Sequence, residues 1–397
     1  MQSVLIQPVS VYLHIPFCSK LCAYCDFTTY SGLDKLIPDY AHALAHEIEL
    51  VAESSKDATP LPVHSAYFGG GTPSLLPIHL MSRIFISMQH SFDISPDAEI
   101  TVEANPGTLD LPYLTALREL GVNRLSIGAQ SAQKEELRIL DRSHSFQDVV
   151  EAVRISRTAG FNNLNLDLIF GLPGQRLQHW KDTLRKALGL QPEHLSLYAL
   201  TLEHGTPLRA QVRRGLLPTP NSDVAADMYE WATEELAQHG FSHYEICNWA
   251  QDSGAFACRH NLQYWKNLPY LAFGTGAHGW FNGYRYANTR SPQLYIERMK
   301  LGKSGATNFP FSPAVSEKRE IDRQDEMNET LMMGLRLLQD GVPRRSFKAR
   351  FGVTIEHGYA APLRQLQAQG LVTQDRDRVR LSRAGRLLAN RVFEEFV

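Results

Sequence analysis

The chain has 397 residues and a formal net charge of −2, with 43% apolar and 21% charged residues. This length suggests roughly two or three domains around a large buried core, and the charge excludes a generally basic nucleic-acid-binding protein. No apolar run approaches about 18 residues and no basic segment precedes the first one, so we expect neither a membrane span nor a signal peptide. Five cysteines, three of them close together, favour the reducing cytoplasm.

The first predicted strand, Val11–Ile15, leads directly into three cysteines, Cys18, Cys22 and Cys25, in the segment HIPFCSKLCAYCDF. A [4Fe-4S] cluster normally takes four thiolates, so three local thiolates would leave one iron open to bind another molecule. A disulfide would leave one thiol over and is typical of secreted proteins. A zinc site completed by His14 is the stronger alternative, although structural zinc sites usually pair their cysteines around a longer insert.

Strand-like and helix-like segments alternate through the first half of the chain. Strands that alternate with helices favour βαβ units and a parallel sheet. Six such units predict an α/β fold with a partial, TIM-like (β/α)6 barrel, in which the strand C-termini and the chemistry share one face. The predicted strands are Val11–Ile15, Ser65–Phe68, Glu99–Glu103, Arg124–Ile127, Asn163–Phe170 and His194–Leu200, and the predicted helices include Tyr40–Ala52, Leu111–Leu120, Phe146–Thr158 and Trp180–Leu188.

Most of these strands run into polar or glycine-rich residues, at the edge where a barrel places its active site. The coincidence is hard to explain by turn chemistry alone, although a plain tight turn remains open for each segment. The segments are the cysteine loop, Gly69–Pro73, Asn105–Gly107 after Glu103, Gly128–Gln130, Gly171–Gly174 after Asp167, and Tyr198–Ala199.

The alternation stops near residue 205. An aromatic-rich and glycine-rich stretch follows, which we expect to pack on the barrel as helices and irregular segments. After Pro313 the pattern predicts a long helix at Glu320–Leu338, two shorter helical stretches and a small hairpin, an order that suggests a winged-helix-like α+β domain. We therefore predict three domains, 1–204, 205–312 and 313–397.

The C-x3-C-x2-C spacing, with Tyr24 before the last cysteine, resembles the motif of the radical S-adenosylmethionine (SAM) superfamily. Nearly the whole chain resembles the branch that contains the oxygen-independent coproporphyrinogen III oxidases. The matching segments are YLHIPFC, YFGGGTPS, EANPGT, NRLSIGAQS, LDLIFGLPGQ, HLSLYAL and the C-terminal winged-helix-like part.

The resemblance implies a [4Fe-4S] cluster held by the three cysteines and a SAM molecule on the open iron. Glycine backbone can approach a ligand closely, carboxylates can accept from ribose hydroxyls or the amine, and Arg142 can pair with a carboxylate. Taken alone, Arg142 or Asp167 would more often be a surface charge or a helix cap, so their role rests on the resemblance. By motif position, the implied SAM contacts are Tyr12, Gly70, Gly71, Thr72, Glu103, Gln130, Arg142 and Asp167.

Two departures favour a heme chaperone over the decarboxylating oxidase. The oxidase has a fourth cysteine two residues after the third, where this chain has Phe27, and it has a longer extension before its cluster. In addition, the segment HNLQYW fits the HNxxYW motif of the HemW-type heme chaperones. Its motif residues are His260, Asn261, Tyr264 and Trp265.

The HNxxYW segment has two interpretations. An imidazole can ligate heme iron, and aromatic rings can stack on a porphyrin. The alternative is a core histidine beside two aromatic residues. Cys258 could be a rival iron ligand, although a free cysteine is more often a small buried apolar residue.

From this resemblance we expect a protein that binds a [4Fe-4S] cluster, SAM and heme, and delivers heme to hemoproteins. A recipient is implied, with a respiratory enzyme at the membrane as one candidate, and so is an electron donor for the cluster. Peripheral association with a membrane is compatible with this role, and no nucleic-acid partner is expected. The rival functions are coproporphyrinogen III oxidation and a zinc protein without radical chemistry. The sequence leaves the oligomeric state and enzymatic activity open.

Overall fold

The structure, a computed structural model, describes residues 8–55, 59–302 and 308–396. These residues form two compact units. The first comprises the chain up to Met228 together with Pro269–Arg319, and the second comprises Tyr229–Leu268 and the chain from Glu320 onward. The predicted middle domain, 205–312, thus contributes residues to both units, and the predicted three-domain division stays a prediction. Across the described ranges, no helix is both long and apolar enough to cross a membrane.

Six parallel strands form the centre of the first unit, each hydrogen-bonded to the next in chain order. Most residues of these strands are buried, as expected for parallel strands that are covered by helices. This arrangement confirms the predicted α/β fold with consecutive βα units. The strands are β1 (Val9–Ile15), β2 (Pro62–Gly70), β3 (Asp93–Ala104), β4 (Arg124–Gln130), β5 (Leu164–Phe170) and β6 (His194–Ala199).

Helices connect these strands, and several begin at residues that cap them. The Ser145 side chain accepts from the Asp148 amide at one helix start, and the Asp148 carboxylate accepts in return from the Ser145 amide, a capping box. Asp110 caps another start. The helices are α1 (Ile37–Glu53), α2 (Ile78–Ser91), α3 (Leu111–Glu119), α4 (Lys134–Ile139), α5 (Phe146–Thr158), α6 (Leu177–Leu188), α7 (Pro207–Arg213) and α8 (Ser222–Gln238), with 3₁₀ turns at Asp34–Leu36, Pro73–Leu75 and Pro106–Thr108.

The chain then enters the second unit, where β7 (Ser242–Glu245) and β8 (Asn248–Ala250) form an antiparallel hairpin. A 3₁₀ turn at Asp252–Gly254 follows, and then the short helix α9 (Arg259–Trp265). The HNLQYW segment is therefore helical, and its first and fifth residues face the same side of one turn.

The first unit resumes with strands that the sequence analysis did not predict. β9 (Tyr270–Phe273) pairs in parallel with β1, and β10 (His278–Phe281) and β11 (Tyr284–Asn288) continue the sheet as an antiparallel hairpin. Helix α10 (Pro292–Leu301) and strand β12 (Val315–Glu320) complete this part. The sheet thus extends on the far side of β1 instead of closing with six strands.

The C-terminal part has the predicted winged-helix-like order. Helix α11 (Arg323–Gly334) is followed by β13 (Val342–Pro343), α12 (Arg344–Phe351), α13 (Glu356–Ala368) and the hairpin of β14 (Val372–Gln374) and β15 (Arg378–Leu381). The three strands form a sheet in the order β13-β15-β14. Helices α14 (Arg383–Leu387) and α15 (Ala389–Phe393) and a 3₁₀ turn at Glu394–Phe396 end it. Apolar side chains of these elements form one core.

A buried carboxylate fastens the added strands to α1. Glu47 is 1% exposed and accepts hydrogen bonds from the Gly274 amide at 2.7 Å, the Asn288 amide group at 2.7 Å, the Tyr295 hydroxyl at 2.6 Å and the Ser312 hydroxyl at 2.5 Å. Burial raises the pKa of Glu47, and the four donors oppose that shift. These donors all come from the 269–319 segment, so one side chain holds this segment to the barrel.

We expect Glu47→Ala to lower the free energy of unfolding of the first unit by on the order of 3–5 kcal/mol, because four buried donors lose their acceptor. Denaturant unfolding monitored by far-ultraviolet circular dichroism measures the change. Glu53→Ala, on the exposed face of the same helix, is the control and should cost less than about 0.5 kcal/mol. Equal losses for the two variants would contradict the role given to Glu47.

Candidate functional site

The cysteine loop is held by the backbone that follows β2. The Gly71 amide donates to the Ile15 carbonyl at 2.8 Å, and the Thr72 amide donates to the Phe17 carbonyl at 2.8 Å. The loop also closes on itself, since the Cys18 amide donates to the Tyr30 carbonyl at 2.9 Å. The first cysteine therefore has a fixed position at the carboxyl end of the sheet.

All five cysteines are free thiols, and the three of the motif are partly exposed. The Thr72 hydroxyl lies 3.7 Å from Sγ of Cys18, and the Arg142 guanidinium donates to Sγ of Cys22 at 3.4 Å. Burial, and then the neighbouring thiols, raise the pKa of Cys18 and Cys25. Bound iron would reverse this by stabilising the thiolates. Three accessible thiols in one loop fit the ligand set of a [4Fe-4S] cluster.

His14 does not offer a ligand atom to a zinc ion. Its Nε2 lies 2.8 Å from the Thr28 carbonyl oxygen, so Nε2 carries the hydrogen, and its Nδ1 accepts from the Tyr12 hydroxyl at 3.0 Å. Both ring nitrogens are thus engaged inside the fold. A Cys3His zinc site would require at least one of these hydrogen bonds to break.

Gly70 and Gly71 lie too close to neighbouring groups to carry side chains. A Cβ at residue 71 would lie 2.6 Å from the Phe17 carbonyl oxygen and 3.0 Å from Sγ of Cys18. At residue 70, φ is +114°, and a Cβ would lie 2.6 Å from the His14 ring. The amides of residues 70–72 all donate within the fold. The segment can therefore offer carbonyl oxygens to a ligand, which suits an ammonium group.

Glu103 ends β3 beside this segment. Its carboxylate accepts from the Tyr67 hydroxyl at 2.9 Å and from the Gly70 amide at 3.1 Å. Burial, and then the negative charge of Asp167, raise its pKa to about 7. A carboxyl group in this state gains most from a cationic ligand, because the cation offsets both effects. Tyr12 also lies close, since the charge of Glu103 adds to burial in raising the pKa of the Tyr12 hydroxyl.

Asp167 lies in the middle of β5, next to a ladder of polar side chains. Its two oxygens accept from the Ser126 hydroxyl at 2.9 Å and from the Asn165 amide group at 2.8 Å. Asn165 in turn accepts from His194 at 2.6 Å and from Ser196 at 3.1 Å. Burial raises the pKa of Asp167, and these donors oppose the shift.

The sequence analysis missed this ladder, although a signal was present. Ser126, Asn165, His194 and Ser196 lie at alternate positions of three consecutive strands and point to one face. Polar residues at that period inside apolar strands indicate a polar barrel interior. Tyr67, two residues before the glycine segment, was also missed.

Arg142 connects the cysteine loop with β4. One guanidinium nitrogen donates to Sγ of Cys22 and the other to the Gly128 carbonyl at 3.0 Å. Its Nε is buried and has no hydrogen-bond partner among the described residues, which leaves a donor for a carboxylate ligand. Gln130 is 8% exposed at a strained φ of +63°, and its side chain would collide with a Cβ at residue 128.

The structure thus brings the predicted cluster and SAM residues together. The pairwise contacts described above join them into one group, and most of its side chains are partly exposed. A cluster ligand set, carbonyl acceptors, two carboxylates and a guanidinium suit the ammonium, carboxylate and ribose groups of SAM. The role of each residue in binding stays a prediction. The group comprises Tyr12, Cys18, Cys22, Cys25, Gly70, Gly71, Thr72, Glu103, Gln130, Arg142 and Asp167.

The HNxxYW residues lie in the second unit, on α9. His260 is 1% exposed, and its Nε2 lies 2.9 Å from the Tyr264 hydroxyl. Asn261, Tyr264 and Trp265 are partly exposed. Cys258 is 0% exposed, as expected for a buried apolar residue. The partly exposed aromatic residues are accessible to a planar ligand, whereas the imidazole is enclosed.

An ion pair between Arg336 and Glu245 packs against Trp265, the last residue of the motif. The sequence analysis did not predict this ion pair. The Arg336 guanidinium lies 4.2 Å from the centre of the Trp265 ring and 3.6 Å from the Glu245 carboxylate. Glu245 is 0% exposed, and burial raises its pKa while Arg336 opposes the shift. One face of Trp265 is therefore covered by a cation, and a porphyrin could stack only on the other face.

Comparisons with known proteins identify relatives over the full length. Residues 12–187 match the model of the radical SAM superfamily, and residues 321–388 match that of the HemN C-terminal domain. The heme chaperone HemW of Bacillus subtilis is 34% identical over 98% of this chain and 99% of that protein. The heme chaperone HemW of Mycobacterium tuberculosis is 37% identical over 97% of this chain and 94% of that protein.

A solved structure shares the architecture. The coproporphyrinogen III oxidase HemN of Escherichia coli, described as a radical SAM enzyme, superimposes with a TM-score of 0.83 at 25% identity. The match covers 98% of this chain and 90% of that protein. It supports the barrel and the winged-helix-like domain described above.

Replacing Cys18, Cys22 or Cys25 by Ser should remove the cluster, because two remaining local thiolates do not hold four irons. After anaerobic reconstitution we expect about four iron and four sulfide per chain in the wild type, and less than about one in each variant. Cys247→Ser, which alters a thiol outside the loop, should keep the wild-type content. One zinc and no sulfide in the wild type would contradict the cluster.

Glu103 should contribute stability to the ligand-free protein that is lost as the pH rises from about 4.5 to 7. The folded pKa of Glu103 lies above its unfolded value, so the folded state binds more protons at this group in this window, and its contribution is largest at the acid end. Glu103→Gln removes this proton uptake and should shift the slope of the unfolding free energy against pH in the positive direction relative to the wild type. Urea unfolding at several pH values measures it, and Glu53→Gln should leave the slope unchanged.

Proposed function

Since the chain belongs to the radical SAM superfamily and, within it, to the family of the heme chaperone HemW, we propose that it binds heme and delivers it to hemoproteins. The single observation that carries this proposal is the similarity to HemW proteins over nearly the entire length of both chains. The HNLQYW segment on α9 agrees with it, because partly exposed aromatic side chains there can contact a porphyrin.

A [4Fe-4S] cluster and SAM belong to the radical SAM family, and the site in the first unit has the donors that both require. These cofactors supply one-electron chemistry in the superfamily. The chain's own residues would act as holders in this scheme. Cys18, Cys22 and Cys25 would bind iron, Glu103 and Asp167 would accept from donors of SAM, and Arg142 would pair with its carboxylate.

Anaerobic oxidation of coproporphyrinogen III is the second candidate, favoured by the structural similarity to HemN of Escherichia coli. Phe27 argues against it, because this residue occupies the place of the oxidase's fourth cysteine. Its side chain is 69% exposed beside the cysteine loop. The two functions share a fold, so a test with the substrate must separate them.

Delivery of heme implies partners that differ from the cofactors. A recipient hemoprotein must accept the heme, and a respiratory enzyme at the membrane is our candidate. The present protein would then associate peripherally with the membrane and reach the recipient from the cytoplasmic side. An electron donor is needed only if the cluster is to be reduced.

We expect hemin to bind the reconstituted protein and to move to an apo-hemoprotein, such as apomyoglobin, on mixing. Replacement of His260 by Ala should weaken binding at least about tenfold, as loss of a metal-ligand group does. Anaerobic titration followed by absorption spectroscopy measures both steps. His239→Ala, which alters an exposed histidine, should behave as the wild type.

The same preparation, incubated with coproporphyrinogen III, SAM and a reductant, separates the two candidate functions. We expect the substrate to be recovered unchanged. Formation of protoporphyrinogen IX would establish the oxidase instead, and equal heme binding by the His260→Ala variant would exclude this residue from the heme site.

A further inference from the structure

His260 is not available to a metal ion in this structure. Its Nε2 is hydrogen-bonded to the Tyr264 hydroxyl at 2.9 Å, the two rings meet edge to face at 4.9 Å, and the imidazole is 1% exposed. The two residues are four positions apart on α9, so helix geometry alone brings them together. The contact is part of the helix and does not depend on a distant element.

The hydrogen bond excludes iron whichever tautomer His260 adopts. If Nε2 accepts from the Tyr264 hydroxyl, its lone pair is occupied by that hydrogen. If Nε2 donates, it has no lone pair in the ring plane. Coordination of iron through Nε2 therefore requires that this hydrogen bond breaks, and in the second case also that the imidazole changes tautomer, losing the Nε2 proton to water and taking up a proton at Nδ1. One nitrogen cannot serve both partners.

The surroundings of α9 restrict how the hydrogen bond can break. The Arg350 guanidinium donates to the Asn267 carbonyl at 2.8 Å, and the Asn267 side chain donates to the Thr330 hydroxyl at 3.1 Å. Arg336 covers Trp265 at the last residue of the helix. These contacts hold the C-terminal end of α9. A rotation of the partly exposed Tyr264 side chain would break the hydrogen bond and leave these contacts in place.

We propose that Tyr264 controls heme binding and release by competing with iron for Nε2 of His260. The inference rests on the proposed function and adds a residue that opposes ligation. In the heme-free state the Tyr264 hydroxyl holds the imidazole. When heme binds, this hydrogen bond is exchanged for the iron–nitrogen bond, and when heme leaves, Tyr264 takes back the nitrogen. The competition weakens binding, which favours transfer to a recipient.

Tyr264→Phe keeps the aromatic ring and removes only the competing hydroxyl. Because one net hydrogen bond no longer opposes ligation, we expect hemin to bind between about twofold and tenfold more tightly. Transfer to apomyoglobin should slow by a similar factor. In His260→Ala the Tyr264→Phe change should have no further effect, since the competition is for the imidazole.

Tyr229→Phe is the matched control, because the Tyr229 hydroxyl contacts Nε2 of another histidine, His243, at 3.4 Å in the same unit. This variant should bind hemin as the wild type does. A second measurement needs no heme: in ¹⁵N-labelled protein the Nε2 resonance of His260 should shift in Tyr264→Phe relative to the wild type, because Nε2 loses its hydrogen bond to the Tyr264 hydroxyl. Circular dichroism establishes that each variant is folded.

The outcomes separate the inference from the proposed function. If His260→Ala weakens hemin binding but Tyr264→Phe binds no more tightly, the competition is wrong and the heme site stands. If Tyr264→Phe tightens binding equally with and without His260, the hydroxyl acts elsewhere and the inference is also wrong. If the wild type binds no hemin, or His260→Ala binds as well as the wild type, the proposed site is wrong and the inference with it.

Discussion

The close approach of two backbone segments is the constraint on which the site in the first unit depends. At residue 71 a Cβ would lie within 3.0 Å of both the Phe17 carbonyl oxygen and Sγ of Cys18, so only glycine allows the loop to lie against the end of β2. The parallel register, with Ile15 opposite Gly70, brings the two segments level. Hydrogen bonds from residues 71 and 72 then fix the loop, and Cys18 with it.

Electrostatics follow from the same geometry. The parallel strands bring Glu103, near the end of β3, and Asp167, in the middle of β5, close enough that the charge of Asp167 raises the pKa of Glu103. Arg142 contacts the cysteine loop and β4. Its buried Nε lacks a hydrogen-bond partner among the described residues. The ligand-free site therefore stores unfavourable interactions, which a ligand with both an ammonium and a carboxylate group would relieve. The polar ladder below Asp167 keeps that carboxylate oriented.

The repeated βα units and the short motifs that follow their strands could be predicted from the sequence. Glycine and polar residues marked the strand ends, and the cysteine spacing marked the loop, so the order of β1 to β6 and the grouping at their carboxyl edge were predictable. The extension of the sheet beyond β1 could not be predicted, because β9 has only four residues and pairs with a strand about 260 positions earlier in the chain. Nor could the contacts of Glu47, whose donors lie more than 200 positions away, or the contact of Arg336 with Trp265.

The proposed cluster site and the proposed heme site would impose opposite requirements on the residues that bind iron. A resident cluster should stay, so its thiolates lie in a loop pinned by backbone hydrogen bonds and are partly exposed in advance. A cargo must leave, and a preorganised imidazole would hold heme too firmly for transfer. An enclosed His260, already bonded to a neighbour on its own helix, meets the second requirement, because part of the ligation energy is lost in freeing the nitrogen. The hydrogen bond between His260 and Tyr264 makes His260 resemble an ordinary core histidine. The same hydrogen bond suits a protein that must release its heme.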